Sequence, residues 1–227
     1  WRDALVSNGA ALFDENGSRC LIAEPSSVEA VEFAQKLEQL YVDCDITARS
    51  FDEGNVAFRP FLFSDYRTYQ PYPWRIKRYS GFEWDCIPMP GGPSGSGRSE
   101  LSTVLAAISS RSSQQALAWE LLKELTCSDE TQEMLYTDSH GVSALRRVTQ
   151  SPQTQRILQQ DTPGDSQLGL EILSDVMEQA VTAPHFRSYD QTLLLAESLV
   201  ATAMEDDHNL ALQLQRVQRE LEEYLQN

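Results

Sequence analysis

The spacing of hydrophobic positions in the first part of the chain predicts one long amphipathic helix. Apolar residues recur there every three or four positions, which is the spacing of one face of an α-helix: Val28, Val31, Ala34, Leu37, Leu40 and Tyr41. Ser26 and Glu29 stand three residues apart just before this stripe, as the two members of a capping box do. The pattern predicts a helix that begins at Ser26 and ends near Tyr41.

From Ser112 onward the same spacing continues almost to the end of the chain. One helix is predicted by the stripe Ala116, Trp119, Leu122 and Leu125, and Ser128 is expected to cap the next helix, which extends through Leu135. Prolines at 152, 163 and 184 divide the remainder. Helices are expected near residues 153–159, 166–181, 189–204 and 208–225, the last capped by Asp206 or Asp207.

Shorter apolar runs predict strands in the first half. They lie at residues 10–13, 55–63, 82–89 and 101–108, and Pro60 favours an edge position or a bulge for the second of them. The glycine-rich loop, residues 88–97, reads PMPGGPSGSG and cannot form regular structure. Together these elements predict an α/β fold in which helices predominate in the second half.

Composition and charge narrow the possible partners. The chain has 227 residues, 41% of them hydrophobic, and a net charge of −16 from 18 basic and 34 acidic residues. This strong acidity argues against sequence-independent binding to nucleic acid, which needs a cationic face. No apolar run is long enough to cross a bilayer. Because Trp1 is not a start methionine, we expect the natural beginning, with any targeting signal, to be missing.

No residue pattern indicates catalysis, a cofactor or a metal. The three histidines, His140, His185 and His208, lack the spacing of a zinc site, and the glycine-rich loop lacks the order of a phosphate-binding loop. The four cysteines, at 20, 44, 86 and 127, match no zinc or haem spacing. They favour a reducing compartment, although two ordinary disulfide bridges remain open.

Two segments could contact a ligand. Residues 51–84 contain 11 of the 20 aromatic residues, and these rings either form the core of a sheet or, in a loop around Tyr66, stack on a sugar while Asp65 and Arg67 bond its hydroxyl groups. The second segment, residues 184–190, gathers aromatic and polar groups before a helix, but it could equally be a capping segment with Ser188 as the cap.

The order of short motifs resembles that of extracellular solute-binding proteins of ABC importers, in the carbohydrate-binding group that includes the maltose-binding protein. The segment NGAALFDENG at 8–17, followed by SSVEAV at 26–31, resembles the start of that family's second lobe. Further segments match in the same order: FDEGNVAF at 51–58, FEWDCIPMP at 82–90, AAIS at 106–109, ALAWELLKELT at 116–126, SDETQ at 128–132 and GVSA at 141–144.

The resemblance implies a type II periplasmic-binding-protein-like lobe, helix-rich in its second half, which closes with another lobe around a ligand. Residues 1–227 would then be the C-terminal portion of a two-lobed module whose N-terminal lobe is missing, with residues 101–148 contributing to that other lobe. Without it, this segment would expose an apolar face, and the fragment could dimerise.

Ligand-binding residues are also implied by the resemblance. Ser64, Asp65 and Tyr66 lie where the family motif GsW often stacks a sugar, although the tryptophan is absent here and Tyr66 is the nearest aromatic residue. The glycine-rich loop would bring its members to the cleft, as would the segment after Pro184: Gly95, Gly97, Arg98, Arg187 and Tyr189. Ser143 replaces a proline that is frequent in the family.

The implied function is non-catalytic capture of a carbohydrate or similar solute for delivery to ABC permease subunits. The implied location is extracellular, attached to the membrane as a lipoprotein through the missing N-terminus. The scattered cysteines favour an alternative, in which the same module is the ligand-sensing domain of a cytoplasmic transcription regulator of the GntR type. The sequence before Trp1 would distinguish the two.

Overall fold

The computed structural model describes residues 1–47, 50–51, 53–60, 62, 87–95, 97–137, 141–160, 170–206 and 209–226. The chain divides into two compact units. Unit 1 comprises Trp1–Asp45, Pro88–Ser102 and Asp175–Asn227, and unit 2 comprises Ile46–Ile87 and Thr103–Ser174.

Helices predominate in the described part of both units. In chain order they are α1 (Arg2–Ser7), α2 (Pro25–Tyr41), α3 (Gln115–Cys127), α4 (Asp129–Thr137), α5 (Arg146–Thr149), α6 (Pro152–Gln160), α7 (Leu170–Gln179), α8 (Tyr189–Glu205) and α9 (Leu210–Leu225). Two short strands, β1 (Glu100–Leu101) and β2 (Val181–Thr182), pair in parallel, with Glu100 opposite Val181.

The core of unit 1 lies between α1, α2, α8 and α9. On α9, four buried residues recur at the spacing of one helical face: Leu210, Leu214, Val217 and Leu221. They pack with Val31 of α2 and Val200 of α8, which are both fully buried. Because burying one such aliphatic side chain stabilises a fold by about 1.5–3 kcal/mol, this cluster is the main source of stability in unit 1.

In unit 2, the described core is centred on Tyr136 of α4 and Val148 of α5, which are both buried. Helix α3 contributes no buried residue. Its face formed by Leu117, Leu121 and Leu125 is exposed, and so are Val104 and Leu105 before it. These side chains therefore form exposed apolar surface in unit 2.

Most of the predicted helices are confirmed. The amphipathic stripes correspond to α2, α3, α4, α6 and α8, with ends close to those predicted. Ser128 caps α4 as expected, because the backbone N–H of Thr131 donates to its Oγ at 3.4 Å. Periodicity did not reveal α1 or α5, which are too short to show a repeating apolar face.

The predicted helix caps are wrong at two helices. Helix α2 begins at Pro25 after Glu24, so Ser26 lies inside the first turn and Glu29 bonds elsewhere. The cap of α9 is Asn209, whose Oδ1 accepts from the N–H of Leu212, whereas Asp206 accepts from the side chain of Gln213. Helix α7 ends at Gln179, before Val181, because Val181 pairs in β2.

The predicted strands are largely wrong within the described residues. No strand is present at 55–60 or 62, where Phe58 is 76% exposed, or at 87–89. The segment 10–13 makes a single antiparallel bridge, from Phe13 to Cys20. The strand predicted at 101–108 ends at Leu101, because its partner β2 is two residues long and a strand needs a paired neighbour. Residues 61, 63 and 82–86 lie outside the described residues.

The glycine-rich loop has no helix or strand in its described part, residues 88–95 and 97, as predicted. Across the described helices, none combines the length and the hydropathy that a bilayer crossing requires.

Candidate functional site

A cavity of about 210 Å³ lies within unit 1. Its walls come from five places in the chain: Trp1 with one side of α1, residues 9–13, Arg98 with Glu100 of β1, residues 181–184, and the start of α8. The walls are mostly apolar, but they carry the hydrogen-bonding and charged groups of Arg98, Glu100 and Tyr189. Apolar walls with a few placed polar groups are typical of small-molecule sites.

Arg2 connects three of these elements by ion pairs. Its Nη2 lies 3.1 Å from both carboxylate oxygens of Glu100, and its Nη1 lies 3.1 Å from Oε1 of Glu197 on α8. Burial would lower the pKa of Arg2, but the Glu100 charge and the hydrogen bonds to Glu197 and Glu100 outweigh burial and raise it. Arg2 is therefore a permanently charged link between α1, β1 and α8.

Backbone hydrogen bonds hold the residues on both sides of Arg98, and among the described residues its side chain has no partner. The N–H of Gly97 donates to the Ser7 carbonyl at 3.1 Å, and the carbonyl of Ser99 accepts from the N–H of Val181 at 3.0 Å. Gly97 has φ +74°, a conformation that favours glycine. The Arg98 guanidinium has no ion pair or hydrogen bond within the described part of the chain, so it is available to a ligand.

Tyr189 belongs to a cluster of three aromatic rings in edge-to-face contact. Its ring centroid lies 5.3 Å from that of Phe186 and 6.3 Å from that of Phe13, and Phe13 lies 5.4 Å from Phe186. Such contacts fix the orientation of each ring. Burial, and then the Glu100 carboxylate, raises the pKa of Tyr189, although Arg2 acts in the opposite direction. The hydroxyl therefore stays protonated at neutral pH and can both donate and accept a hydrogen bond.

Gly17 is required by the same aromatic cluster. Its φ is +64°, and a Cβ built on it would lie 2.2 Å from the Phe186 ring. The turn at 14–19 is closed by Asp14, whose carboxylate accepts from the N–H groups of Ser18 and Arg19 and from the Ser18 hydroxyl. Because Gly17 has no side chain, the Phe186 ring can lie against this turn and pack with Tyr189.

The structure brings two of the residues predicted to bind a ligand to one cavity wall, namely Arg98 and Tyr189. Arg187 lies on a more open groove of about 580 Å³ formed by residues 184–191, to which Tyr189 also contributes. Gly97 precedes Arg98, and Gly95 packs against the backbone of Asn8.

Ser64, Asp65 and Tyr66 lie outside the described residues, as do the neighbouring aromatic residues up to position 84. The ligand-binding role of all eight residues therefore stays a prediction.

Trp1, Arg2 and Glu100 are among the cavity residues that were not identified from the sequence. These residues meet at the cavity only in the folded protein, since Arg2 and Glu100 are 98 positions apart in the sequence. Within the described residues, no cluster of three or more histidine, cysteine or acidic side chains could hold a metal ion.

Three solved structures have a similar fold. An ABC substrate-binding protein from Listeria monocytogenes in complex with cycloalternan has a TM-score of 0.69 and 14% identity over 99% of this chain. The maltose-maltodextrin binding protein of Alicyclobacillus acidocaldarius has a TM-score of 0.71 and 18% identity over 100%. A maltose-bound T. maritima protein has a TM-score of 0.63 and 22% identity over 98%.

The chain has the type II periplasmic-binding-protein fold. This confirms the fold that the motif order predicted. Because the three structures share only 14% to 22% sequence identity with the chain, they show its fold and not its function. The chain spans 55% to 58% of the length of these three structures. No family profile and no curated protein matches it.

Proposed function

We propose that the chain is the C-terminal portion of a two-lobed solute-binding module that captures a carbohydrate reversibly and without catalysis. The observation that supports this most directly is the cavity of unit 1, where Trp1, Arg98 and Tyr189 meet on a fold shared with sugar-binding proteins. A sugar presents an apolar ring face and a rim of hydroxyl groups. The aromatic rings would stack on the face, and Arg98 and the Tyr189 hydroxyl would bond the rim.

The volume of the cavity limits what it would hold by itself. At about 210 Å³ it lies below the roughly 300–1,000 Å³ of most ligand sites. We therefore expect it to accept one sugar ring, or one end of an oligosaccharide. Arg187, on the groove that Tyr189 also lines, would extend the site to a further ring. The ligand-binding role of Ser64, Asp65 and Tyr66 stays a prediction.

A second lobe would complete the site. The chain spans little more than half the length of its structural neighbours, and its segment 101–148 leaves Val104, Leu105 and the Leu117 face of α3 exposed. We expect this segment to contribute to the other lobe, which would cover these side chains and close over the ligand.

The captured solute would be delivered to the permease subunits of an ABC importer. The protein would then work outside the membrane, attached to it through sequence that precedes Trp1. Maltose, maltodextrin and cycloalternan are named for the neighbours, so α-linked glucose oligosaccharides are the first ligands to test.

A second candidate function is ligand sensing in a cytoplasmic transcription regulator of the GntR type. The observation that favours it is the state of the described cysteines, because Cys20, Cys44 and Cys127 are all free thiols. Free thiols are more usual in a reducing compartment than outside the cell. A winged-helix sequence before Trp1 would establish this function, whereas a lipoprotein signal would establish delivery to an importer.

The decisive experiment is a thermal-shift titration of the full two-lobed protein with glucose, maltose, maltotriose and cycloalternan. A ligand at 100 times its Kd adds about 2.7 kcal/mol to the free energy of unfolding, which is a clear increase in Tm. Arg98→Ala should weaken binding about 10- to 100-fold, since hydrogen bonds from a charged group contribute roughly 1.5–3 kcal/mol.

Arg219→Ala is the matched control, because Arg219 is an exposed arginine of α9 that does not line the cavity, so its removal should leave the affinity unchanged. If none of the four saccharides raises Tm, the carbohydrate proposal is wrong. If a saccharide binds and both arginine variants bind it equally well, the cavity is not its site.

A further inference from the structure

Asn8 is a buried side chain with every polar atom bonded. It is 2% exposed. Its Nδ2 donates to the carbonyl of Ser26 at 2.8 Å and to Oε2 of Glu29 at 2.9 Å, both in α2. Its Oδ1 accepts from the N–H of Ser94, in the glycine-rich loop, at 3.0 Å. One side chain thus joins the end of α1, the first turns of α2 and the loop.

The glycine-rich loop approaches Asn8 more closely than any side chain would allow. A Cβ built on Gly92 would lie 2.1 Å from Oδ1 of Asn8, and a Cβ built on Gly95 would lie 2.2 Å from the Asn8 carbonyl carbon. The Ser94 hydroxyl also donates to Oε2 of Glu29 at 3.1 Å. The glycines at 92 and 95 are therefore explained by this close packing, without a ligand.

The same contacts determine where Arg98 lies. Two residues after Gly95, the N–H of Gly97 donates to the carbonyl of Ser7, the neighbour of Asn8. Arg98 follows directly and reaches the cavity wall, whereas Asn8 does not line the cavity. If the loop lost its contacts with Asn8, the hydrogen bond from Val181 to the Ser99 carbonyl would still hold the chain after Arg98. The chain before Arg98 would lose the bond between Ser94 and Asn8.

We infer that Asn8 is a positioning residue for ligand binding, which holds the glycine-rich loop so that the Arg98 guanidinium faces the cavity. This inference rests on the proposed function, in which Arg98 bonds the ligand. Asn8 acts through Arg98 and does not contact the ligand itself.

The first test needs no ligand. Amide hydrogen exchange is compared between the wild-type protein, Asn8→Ala and the control Asn55→Ala, an exposed asparagine of unit 2. In Asn8→Ala we expect exchange at Ser94 and Gly97 to accelerate at least tenfold, while amides of α9 keep their protection. The reaction rate of Arg98 with phenylglyoxal, which modifies guanidinium groups, should also change. Wild-type exchange and wild-type Arg98 reactivity in Asn8→Ala would overturn the inference.

The second test separates positioning from a purely structural role. At a temperature where the variant is fully folded, Asn8→Ala should lower the affinity about tenfold. The ligand is the saccharide that the wild-type protein binds. In the Arg98→Ala variant, adding Asn8→Ala should lower the affinity less than twofold, because both substitutions remove the same interaction, that of Arg98 with the ligand. Val200→Ala, a core substitution in α8, gives a control that is destabilised without a change in the loop.

A conservative rescue is available at the Asn8–Glu29 bond. Asn8→Asp places two carboxylates together and should weaken binding. The double variant Asn8→Asp with Glu29→Gln restores the hydrogen bond between positions 8 and 29 and should recover part of the affinity, since the Ser26 carbonyl still lacks its donor. Additive losses for Asn8→Ala and Arg98→Ala, or faster loop exchange with unchanged affinity, would overturn the positioning role. If no saccharide binds the wild type, the proposed function is wrong, and the exchange and phenylglyoxal results alone decide whether Asn8 holds the loop and Arg98.

Discussion

At the residue scale, burial decides which cysteines can react. Cys20 is fully buried in the core of unit 1, and its N–H donates to Glu222 at 3.2 Å. Burial raises the pKa of the Cys20 thiol from 9.0 to about 11. Cys44 and Cys127 are exposed. Because the thiolate is the reactive form, the three thiols should differ strongly in reactivity.

We predict that iodoacetamide at pH 8 modifies Cys44 and Cys127 quickly and Cys20 only after unfolding in urea, as measured by peptide mass spectrometry. The raised pKa also makes the free energy of unfolding fall as pH rises from about 9 towards 11, because the folded state keeps a proton that the unfolded state loses. Cys20→Ser should reduce that pH dependence. Labelling of Cys20 at the rate of Cys44 in the native protein would contradict this prediction.

The individual residues that line the cavity were only partly predictable from sequence. Arg98 and Tyr189 were identified because each stands in a motif that resembles a family segment. Arg2 and Glu100 were not identified, because a pair separated by 98 positions leaves no local pattern. Asn8 was assigned to a turn, and its contacts with Glu29 and Ser94 appear only once α2 and the loop are placed in space.

At the element scale, helices were more predictable than strands. A helix satisfies its own backbone hydrogen bonds, so its apolar spacing is sufficient evidence, as α2 and α8 demonstrate. A strand depends on a partner whose position the local sequence does not contain. The run at 101–108 has strand-like composition, yet pairing stops at Leu101 because β2 stops at Thr182.

The segment that leads into α5 contains a residue that departs from the resembled family. Ser143 stands where that family often has proline, and its N–H donates to the hydroxyl of Tyr136 at 3.1 Å, which proline could not do. The Ser143 hydroxyl donates to Gln132 at 2.7 Å, and the Tyr136 hydroxyl also bonds Thr149 at 2.9 Å. This buried network joins α4 to α5.

We predict that Tyr136→Phe lowers the free energy of unfolding of unit 2 by about 1–3 kcal/mol, since it leaves the buried N–H of Ser143 without its acceptor. Tyr224→Phe is the matched control, because Tyr224 is 44% exposed in α9 and its variant should change stability by less than about 0.5 kcal/mol. Urea denaturation measures both. Equal stabilities of the two variants would mean that the network does not stabilise the turn.

At the scale of the whole molecule, the two units differ in how well their apolar residues are covered. Unit 1 buries a continuous cluster from four helices. In unit 2, Val104 is fully exposed, Leu105 and Leu117 are mostly exposed, and α3 has no buried residue. Contiguous exposed apolar surface on a protein indicates an interaction site or a tendency to associate.

We predict that the 227-residue chain, purified by itself, associates in a concentration-dependent manner and binds the dye ANS through the surface of unit 2. The net charge of −16 opposes association, so raising the salt concentration should strengthen it by screening the repulsion. Leu117→Ser combined with Leu121→Ser should shift the chain towards the monomer in light scattering and reduce ANS fluorescence. Leu194→Ser, at a 67% exposed leucine of α8 in unit 1, is the matched control and should change neither. A chain that stays monomeric at high salt and binds no ANS would show that this surface does not drive association.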